Sequence, residues 1–462
     1  MALNLWHWIG MIATISSVTV LGLYAGRRVK SAGDFLMAGR SMGPALVAGS
    51  MLGTILGGSS TIGTVELAFK FGVTAIWWTL GSGIGCLVFG LTMYRIVRQD
   101  QFPTVGRFLA RSYGGRAGRI ASLVLAIALF LAFITNVLSA LAVLSTVSGL
   151  STTGLGLVAG LSIAAYVALG GLWGTSMVGL LKICLIAVSL ILSTAAAWMN
   201  LGDPSRIITE LPAFPWRSLF GRGVWVDVGS GVGIALGLLS TQMYIQALAG
   251  ARSDAAARGG AFISAVLAPV CGSMGVFIGL SMKLTDPGVV PSQALPLFVV
   301  RYLPAVLAGS ALGTFFVAAV GTAAGVALSI SSIVTNDLLG LGNRSSNARL
   351  GAARVGVFAA ITAGVAVACS FKPPFILQLS IVSMGIRASC VAPAFLAAVA
   401  FGKRISPAAG TLTIACGSAA FAWAQATLPR IDPVLPALAV SVASLALATL
   451  ALPGQAGTSS GG

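Results

Sequence analysis

The chain has 462 residues, of which 57% are hydrophobic and 8% are charged, and its mean hydropathy is +0.98. This composition excludes a soluble globular protein, whose surface needs far more charged residues. The net charge of +17 would suit nucleic acid, but the basic residues are dispersed and no soluble domain offers a binding groove. Basic loops beside anionic lipid account for the charge. We therefore expect membrane lipids as partners and no nucleic acid.

Thirteen apolar stretches fill the chain almost from end to end. A helix needs about 20 apolar residues to cross the hydrocarbon core of a bilayer, and only helices or closed barrels satisfy their backbone groups there. The sequence therefore predicts an all-α multi-pass membrane protein with 13 transmembrane helices. In chain order the predicted spans are 5–25, 43–64, 74–98, 119–146, 150–171, 174–199, 224–249, 259–283, 302–339, 352–370, 374–401, 405–426 and 434–453.

The basic residues divide unequally between the two sides of these spans. If the start of the chain lies outside, the inner loops hold 17 of the 27 Lys and Arg residues and the outer loops hold 8. The other two, Lys182 and Arg387, fall within spans. Because cytoplasmic loops carry an excess of Lys and Arg, we expect a plasma (inner) membrane protein with its N-terminus outside and its C-terminus in the cytoplasm.

The sequence shows no pattern for catalysis or for metal binding. The six cysteines lie within spans without metal-ligand spacing, and the single histidine, His7, stands between two tryptophans at a predicted interface. No GxxxxGK[ST] run is present, so pumping driven by nucleotide hydrolysis is not supported. We expect no enzyme activity, no catalytic residue, no cofactor and no transition metal.

Two spans contain glycine clusters at corresponding places. The second span has GTILGGSSTIG at 53–63, and the seventh has VGSGVG at 228–233 followed by LSTQ at 239–242. Each glycine weakens a helix by roughly 1 kcal/mol relative to alanine, and an unwound turn in a membrane is tolerated only where it lines a cavity. The clusters are either notches for helix packing or breaks in both helices.

The two glycine-rich spans lie five spans apart, so alternating topology makes them run in opposite directions. This is the pattern of an inverted repeat whose first helices are broken, as in many secondary transporters. We predict a single transporter domain over residues 1–462. Its parts would be a leading span at 5–25, repeats at 43–199 and 224–401, two trailing spans at 405–453 and a disordered tail at 454–462.

Four segments, in order and on the expected sides, carry a resemblance to a known family. They are DFLMAGRSMG and GSMLGTILGGSSTIGTVELAFKFG between Asp34 and Gly72, Gly170-Gly171-Leu172, Gln242 and Gln246 followed by ALAGARSDAAARGG, and SISSIVTND from Ser329 to Asp337. Together they resemble the sodium:solute symporters, which carry proline, pantothenate, sugars, short carboxylates and other solutes.

The resemblance implies a five-plus-five inverted-repeat core, alternating access and a sodium ion between the broken second span and the ninth span. Sodium is a hard cation that takes several oxygen ligands. Matched position by position, the cation site would be Gly53, Leu56, Ala318, Gly321 and Thr322. The solute would lie beside Gly57, Gly58, Ser59 and Ser60, with the middle of the seventh span, including Gln242, facing it.

This chain departs from the family at the implied cation site. Gly321-Thr322 stands where the family has paired hydroxyls, and Val178-Gly179 stands where it often has Thr-Asp. One turn further on, Lys182 replaces a usual glutamine. The lysine amine would substitute for sodium, snorkel to the inner interface, or make a lipid or gating contact. In the first case transport would be proton-coupled or uncoupled.

Arg387 lies in the middle of the eleventh predicted span, where a charge is costly unless it is paired or lines a water-filled cavity. It would bind a substrate carboxylate through its planar fork, pair with Glu66 or Asp227, or reach an interface. Asp337, which closes the ninth span, is expected to contact the loop from Arg344 to Arg354.

These observations predict a secondary active transporter that moves a small organic solute by alternating access. The coupling ion would be sodium, with a proton-coupled or sodium-independent carrier as the alternative. A membrane solute sensor would need an output domain, and a channel would usually show rings of charge or a filter motif. The sequence predicts neither the substrate nor the oligomeric state.

Overall fold

The protein is described by a computed structural model that covers residues 3–26, 40–100, 104–168, 172–341, 346–371, 373–402 and 405–451. Within these ranges the regular secondary structure is helical, which agrees with the predicted all-α class. We number the α-helices in chain order. They are α1 Leu5–Gly26, α2 Pro44–Ile55, α3 Gly58–Phe71, α4 Ile76–Val88, α5 Tyr94–Asp100, α6 Val105–Tyr113, α7 Gly115–Val147, α8 Thr152–Ala168, α9 Leu172–Leu201, α10 Arg206–Glu210, α11 Val224–Leu239, α12 Gln242–Ala249, α13 Asp254–Thr285, α14 Ala294–Tyr302, α15 Ala305–Ile333, α16 Ser346–Ser370, α17 Leu377–Ile386, α18 Ala392–Phe401, α19 Pro407–Thr427 and α20 Val434–Ala451.

Short turns of other helix types connect some of these elements. Two 3₁₀ turns, Gly72–Ala75 and Pro291–Gln293, precede α4 and α14. Three π-helical turns interrupt or extend long helices: Phe89–Met93 before α5, Val334–Leu338 after α15, and Arg387–Val391 between α17 and α18. Single π turns inside α-helices are frequent at functional sites.

The helices are long and apolar enough for a multi-pass membrane protein. In the part of the chain that the structure describes, nine stretches meet this criterion, or ten if the bent pair α11 and α12 is one span. The number differs from thirteen at three places. Pro44–Ile55 is too short alone and Gly58–Arg98 covers the rest of the second predicted span and the third; Thr152–Val167 in the fifth is too short; and Pro407–Thr427 in the twelfth is not among the stretches that meet the criterion. The count of thirteen stays a prediction.

Both glycine-rich spans are discontinuous, as the sequence predicted. Helix α2 ends at Ile55 and α3 begins at Gly58, with Leu56 at φ −88° and ψ 53° between them. Helices α11 and α12 meet at an angle of 46° across Ser240 and Thr241. We call these the first break and the second break.

The long helix α15 lies at the centre of the packing and contacts α1, α3, α7 and α9. Its contact with α1 is close, because a Cβ atom on Gly309 would lie only 1.9 Å from the carbonyl oxygen of His7. Small residues allow membrane helices to approach in this way. Helix α13 packs against α2, α3 and α4, so it supports both halves of the first broken span.

The two broken spans are joined at one end by backbone hydrogen bonds. The amide of Met42, just before α2, donates to Gly250 O at 3.1 Å, and the amide of Arg252, just after α12, donates to Met42 O at 2.9 Å. This short bridge holds the start of α2 beside the end of α12. The repeat boundaries remain predictions, and the predicted tail, Gly170 and Gly171 lie outside the described residues.

Candidate functional site

The first break exposes the carbonyl end of α2. The last four carbonyls of a helix lack partners within the helix, and this end carries a partial negative charge that favours a cation. The amide of Leu56 donates to Leu52 O at 2.7 Å, whereas Gly53 O accepts hydrogen bonds from two other helices. The two donors are Lys182 Nζ from α9 and, at 3.4 Å, Thr322 Oγ1 from α15.

Lys182 places its amine inside the first break. Its side chain is buried, 5% exposed, and Nζ donates both to Gly53 O and, at 3.0 Å, to Thr322 Oγ1. No described Asp or Glu lies within ion-pair distance of this amine. The snorkelling interpretation is wrong, because an amine that bonds to these two oxygens does not reach the interface.

Three glycines allow α9 to approach α2 closely enough for this contact. A Cβ atom on Gly179 would lie 2.7 Å from Gly49 O, and one on Gly53 would lie 3.0 Å from Gly179 Cα. Real Cβ atoms essentially never lie as close as 2.7 Å to another heavy atom, and 3.0 Å is tighter than most of their contacts. Gly179 therefore lets the two backbones come together, and Lys182, one turn further along α9, reaches Gly53 O.

The other predicted cation positions lie along the same two elements. Leu56 forms the break itself, while Ala318 in α15 is fully buried and has no side-chain oxygen. Gly321 faces an aromatic ring, because a Cβ there would lie 3.1 Å from Tyr166 Oη. Sequence reasoning missed Tyr166. The set that the structure brings together is Gly53 O, Thr322 Oγ1 and the amine of Lys182, which donates to both of these oxygens.

The predicted solute positions of the first break are tightly packed. A Cβ on Gly58 would lie 2.4 Å from Ala319 Cβ, and Ser59 is 6% exposed. The hydroxyl of Ser60 donates to Ile55 O and, at 3.2 Å, to Gly57 O. The free carbonyls of the break are thus partly satisfied by its own serine.

One further polar group beside the first break was missed by sequence reasoning. Gly57 faces Asn136 from α7, since a Cβ on the glycine would lie 3.1 Å from Asn136 Oδ1. That oxygen is buried and accepts no hydrogen bond in the described structure. An asparagine in an otherwise apolar span is a signal for function, and it would have identified this residue.

The second break borders a small cavity. Its polar lining comes from Thr241 and Gln242 at the break, Arg387 from the π turn in the eleventh predicted span, and Thr104 just before α6. Of the predicted solute residues, Gln242 and Arg387 therefore line one space, whereas those at 57–60 lie outside its lining. Their roles in solute binding stay predictions.

Arg387 is held by neutral groups. Its side chain is 3% exposed, Nη1 donates to Thr241 Oγ1 at 2.9 Å, and Nη2 donates to Ser383 Oγ. Its Nε is buried and has no partner in the described structure. The main chain also joins the break, because Ser240 Oγ donates to Arg387 O at 3.2 Å.

The expected ion pair between Arg387 and an acid is wrong for both predicted partners. Glu66 accepts a hydrogen bond from the Ile376 amide at 2.7 Å, so it caps the start of α17. Asp227 pairs with Arg222 Nε at 2.7 Å. Each acid is engaged by a group near its own position in the fold, and the charge of Arg387 is left uncompensated by either of them.

Helix α6 covers the cavity on the side that the charge pattern predicts to be cytoplasmic. The Val105 amide donates to Gln242 Oε1 at 3.0 Å, and Thr104 Oγ1 donates to Asp337 Oδ2 at 2.8 Å. Asp337 also accepts from Ser122 Oγ at 3.1 Å and lies 3.6 Å from Arg107 Nε. Its described partners are thus in α6 and α7, while Arg344 and the side chain of Arg349 lie outside the described residues, so the contact with that loop stays a prediction.

A multi-pass helical protein with two broken helices around buried polar sites belongs to the structural class of secondary transporters. Comparison with known proteins agrees. The model of the sodium:solute symporter family matches residues 35–413. The chain belongs to this family, and it is a membrane transporter and not an enzyme.

Two solved structures share the fold. A Na⁺-coupled sialic acid symporter in a substrate-bound, outward-open state has a TM-score of 0.81 and 16% identity, with 98% of this chain and 99% of that chain covered. Mhp1, a nucleobase-cation-symport-1 family transporter in a closed conformation with bromovinylhydantoin bound, has a TM-score of 0.62 and 12% identity, with coverage of 91% and 96%. A search of curated proteins found no match.

Proposed function

We propose that this protein is a secondary carrier for a small organic solute in which the ammonium of Lys182 takes the place of a sodium ion. The family and the similar structures support cation-coupled solute transport as the general activity. The observation that carries the finer proposal is the pair of hydrogen bonds from Lys182 Nζ to Gly53 O and Thr322 Oγ1. These are a carbonyl and a hydroxyl of the kind that would otherwise bind the ion.

Electrostatic repulsion favours replacement of the sodium ion by Lys182 over binding of both cations at the same oxygens. Two unit charges about 4 Å apart repel by about 4 kcal/mol at an effective dielectric constant of about 20. A sodium ion on the same oxygens as a protonated Lys182 would therefore bind about a thousandfold more weakly, since each 1.4 kcal/mol is tenfold. The carrier would then work without sodium.

The fate of the lysine proton decides the mode of transport. If the amine exchanges its proton with each side of the membrane in turn, transport is coupled to the proton gradient. If it stays charged throughout the cycle, the protein is a facilitator that equilibrates its solute. In both cases Lys182 supplies the positive charge that stabilises the carbonyl end of α2.

The first test uses sodium alone. The Tm of the purified protein in detergent is measured with sodium or potassium chloride at equal ionic strength. We expect no saturable sodium effect in the wild type and in Lys70→Met. Lys70→Met is the matched control for Lys182→Met in this and the next test, because the Lys70 amine also donates to a backbone carbonyl, Pro374 O at 2.6 Å, outside the site. A saturable rise in wild-type Tm with sodium would defeat the proposal.

The second test measures solute uptake into proteoliposomes with sodium and proton gradients imposed separately. We expect wild-type uptake to ignore the sodium gradient, and Lys182→Met to lose any response to the proton gradient. A facilitator would ignore both gradients and still exchange labelled solute. Sodium-driven uptake by the wild type would show ordinary sodium symport and would contradict the proposal.

A further inference from the structure

We infer that the cavity at the second break binds a small organic anion, with Arg387 as its charged ligand. The inference rests on the proposed carrier function and names the chemical class of its substrate. It follows from a buried, uncompensated guanidinium in the wall of a cavity that also holds other hydrogen-bonding groups.

The positive charge of Arg387 lacks a described counter-charge. Arginine stays protonated in proteins, and a charge within a membrane span is costly unless it is paired or hydrated. The described hydrogen-bond acceptors of the Arg387 side chain are two hydroxyls, Thr241 Oγ1 and Ser383 Oγ, which carry no charge. An anion in the cavity would supply the missing negative charge.

The guanidinium of Arg387 has one nitrogen without a described partner. Nη1 and Nη2 each use a hydrogen bond to position the guanidinium, while Nε is left without a partner in the described structure. A guanidinium edge formed by Nε and one Nη binds a carboxylate through two parallel hydrogen bonds. The hydroxyls therefore fix the plane of the arginine and leave the Nε edge for a ligand.

The surroundings favour the same sign of charge. Helix α12 begins at Gln242 in the cavity wall, and the start of a helix carries a partial positive charge. No Asp or Glu is among the described residues that line the cavity. The nearby Asp337 is engaged by Thr104, Ser122 and Arg107.

The rest of the wall limits the body of the ligand. Leu125, Leu129 and Ile333 form its apolar part, and such surface favours hydrocarbon over further charge. The combination of one cationic edge and an apolar wall matches the chemistry of a small monocarboxylate. A polyanion would need more cations than the described lining provides.

The test uses matched probes and the full-length protein in detergent. Tm is titrated with acetate, propionate, lactate, pyruvate and benzoate, and in parallel with the primary amide of each acid, at constant ionic strength. We expect at least one carboxylate to raise Tm saturably while its amide does not. This comparison needs only the wild type, so it stands even where a variant folds poorly.

Variants then assign the effect to the cavity. Arg387→Gln should weaken carboxylate binding at least tenfold, Arg387→Lys should weaken it less, and Leu129→Trp should block it by filling the space. Arg430→Gln is the matched control, because it removes one positive charge from an exposed loop residue. It should bind like the wild type.

The inference is overturned if no carboxylate stabilises the wild type, if acids and amides stabilise it equally, or if Arg387→Gln binds as tightly as Arg430→Gln. These failures differ from failure of the carrier proposal. If a carboxylate binds through Arg387 but is not taken up by proteoliposomes, the anion-site inference holds and the carrier proposal fails. If an uncharged solute is taken up and no carboxylate binds, the carrier proposal holds and the anion-site inference fails.

Discussion

Two buried basic residues, Lys182 and Arg387, lie beside the two breaks, and glycine determines which atoms the first of them can reach. Gly49, Gly53 and Gly179 remove the side chains that would separate α2 from α9. Lys182 extends from α9 one turn beyond Gly179 and reaches the carbonyl of Gly53. The lysine and the glycines are thus parts of one arrangement, because the close backbone packing brings the amine to the carbonyl.

Gly179→Ala tests this arrangement at the level of a single methyl group. The new Cβ would lie 2.7 Å from Gly49 O, so the two helices must separate. Overpacking of this kind costs about 1–3 kcal/mol, and we expect a lower Tm in detergent. Gly154→Ala is the matched control, because its Cβ would meet nothing closer than 3.5 Å. Equal Tm values for the two variants would contradict the packing argument.

At the scale of elements, the two breaks are satisfied in different ways. The first break meets an amine from α9 and a hydroxyl from α15. The second break is held by the π turn between α17 and α18 and by α6, which reaches Gln242 through the Val105 amide. Asp337, in the π turn that follows α15, accepts a hydrogen bond from Thr104 at the start of α6. Helix α6 therefore connects the two elements that border the cavity, and we expect it to move when the cavity opens.

Asp337→Asn tests the attachment of α6. The substitution keeps the shape of the side chain but removes its charge, which weakens the contacts with two hydroxyls and with Arg107. Hydrogen bonds to a charged, buried group contribute about 1.5–3 kcal/mol each, so Tm should fall measurably. Glu210→Gln removes one partner of an exposed pair with Arg206 and should lower Tm much less, because exposed ion pairs contribute little to stability. A larger effect in the exposed pair than at Asp337 would refute this assignment.

At the scale of the whole molecule, the unequal distribution of basic residues predicts the orientation. The inner loops would hold 17 of the 27 basic residues, and Arg252 and Arg430 represent the two sides. Both side chains are exposed in the structure. The family and the apolar helices establish a multi-pass membrane protein, while the direction of insertion remains a prediction from charge.

Cysteine labelling in intact cells measures the orientation directly. In a background with the six native cysteines replaced, Arg430→Cys should react with a membrane-impermeant maleimide added outside. Arg252→Cys should react only after the cells are permeabilised. The opposite pattern would mean that the chain inserts with its N-terminus in the cytoplasm, and it would reverse the side assigned to α6.

The sequence by itself determined the class of protein and the family, and it located the two glycine-rich places at which a helix could break. Each of these depends on local features of the sequence: the length of an apolar run, the density of glycine, and short segments that follow one another in the family's order. The family match over residues 35–413 confirmed the resemblance. It also supplied Lys182 and Arg387 as residues that need an explanation, because charges in apolar spans are visible without a structure.

Only the tertiary structure decided the partners of these residues. Lys182 meets Gly53 and Thr322 across 129 and 140 positions of the chain, and the two acids proposed for Arg387 are taken by Ile376 and Arg222. Hydrogen bonds form only within about 3 Å, so each pairing depends on how closely distant helices pack. That distance is set by the combined contacts of many residues, and no local pattern in the sequence records it.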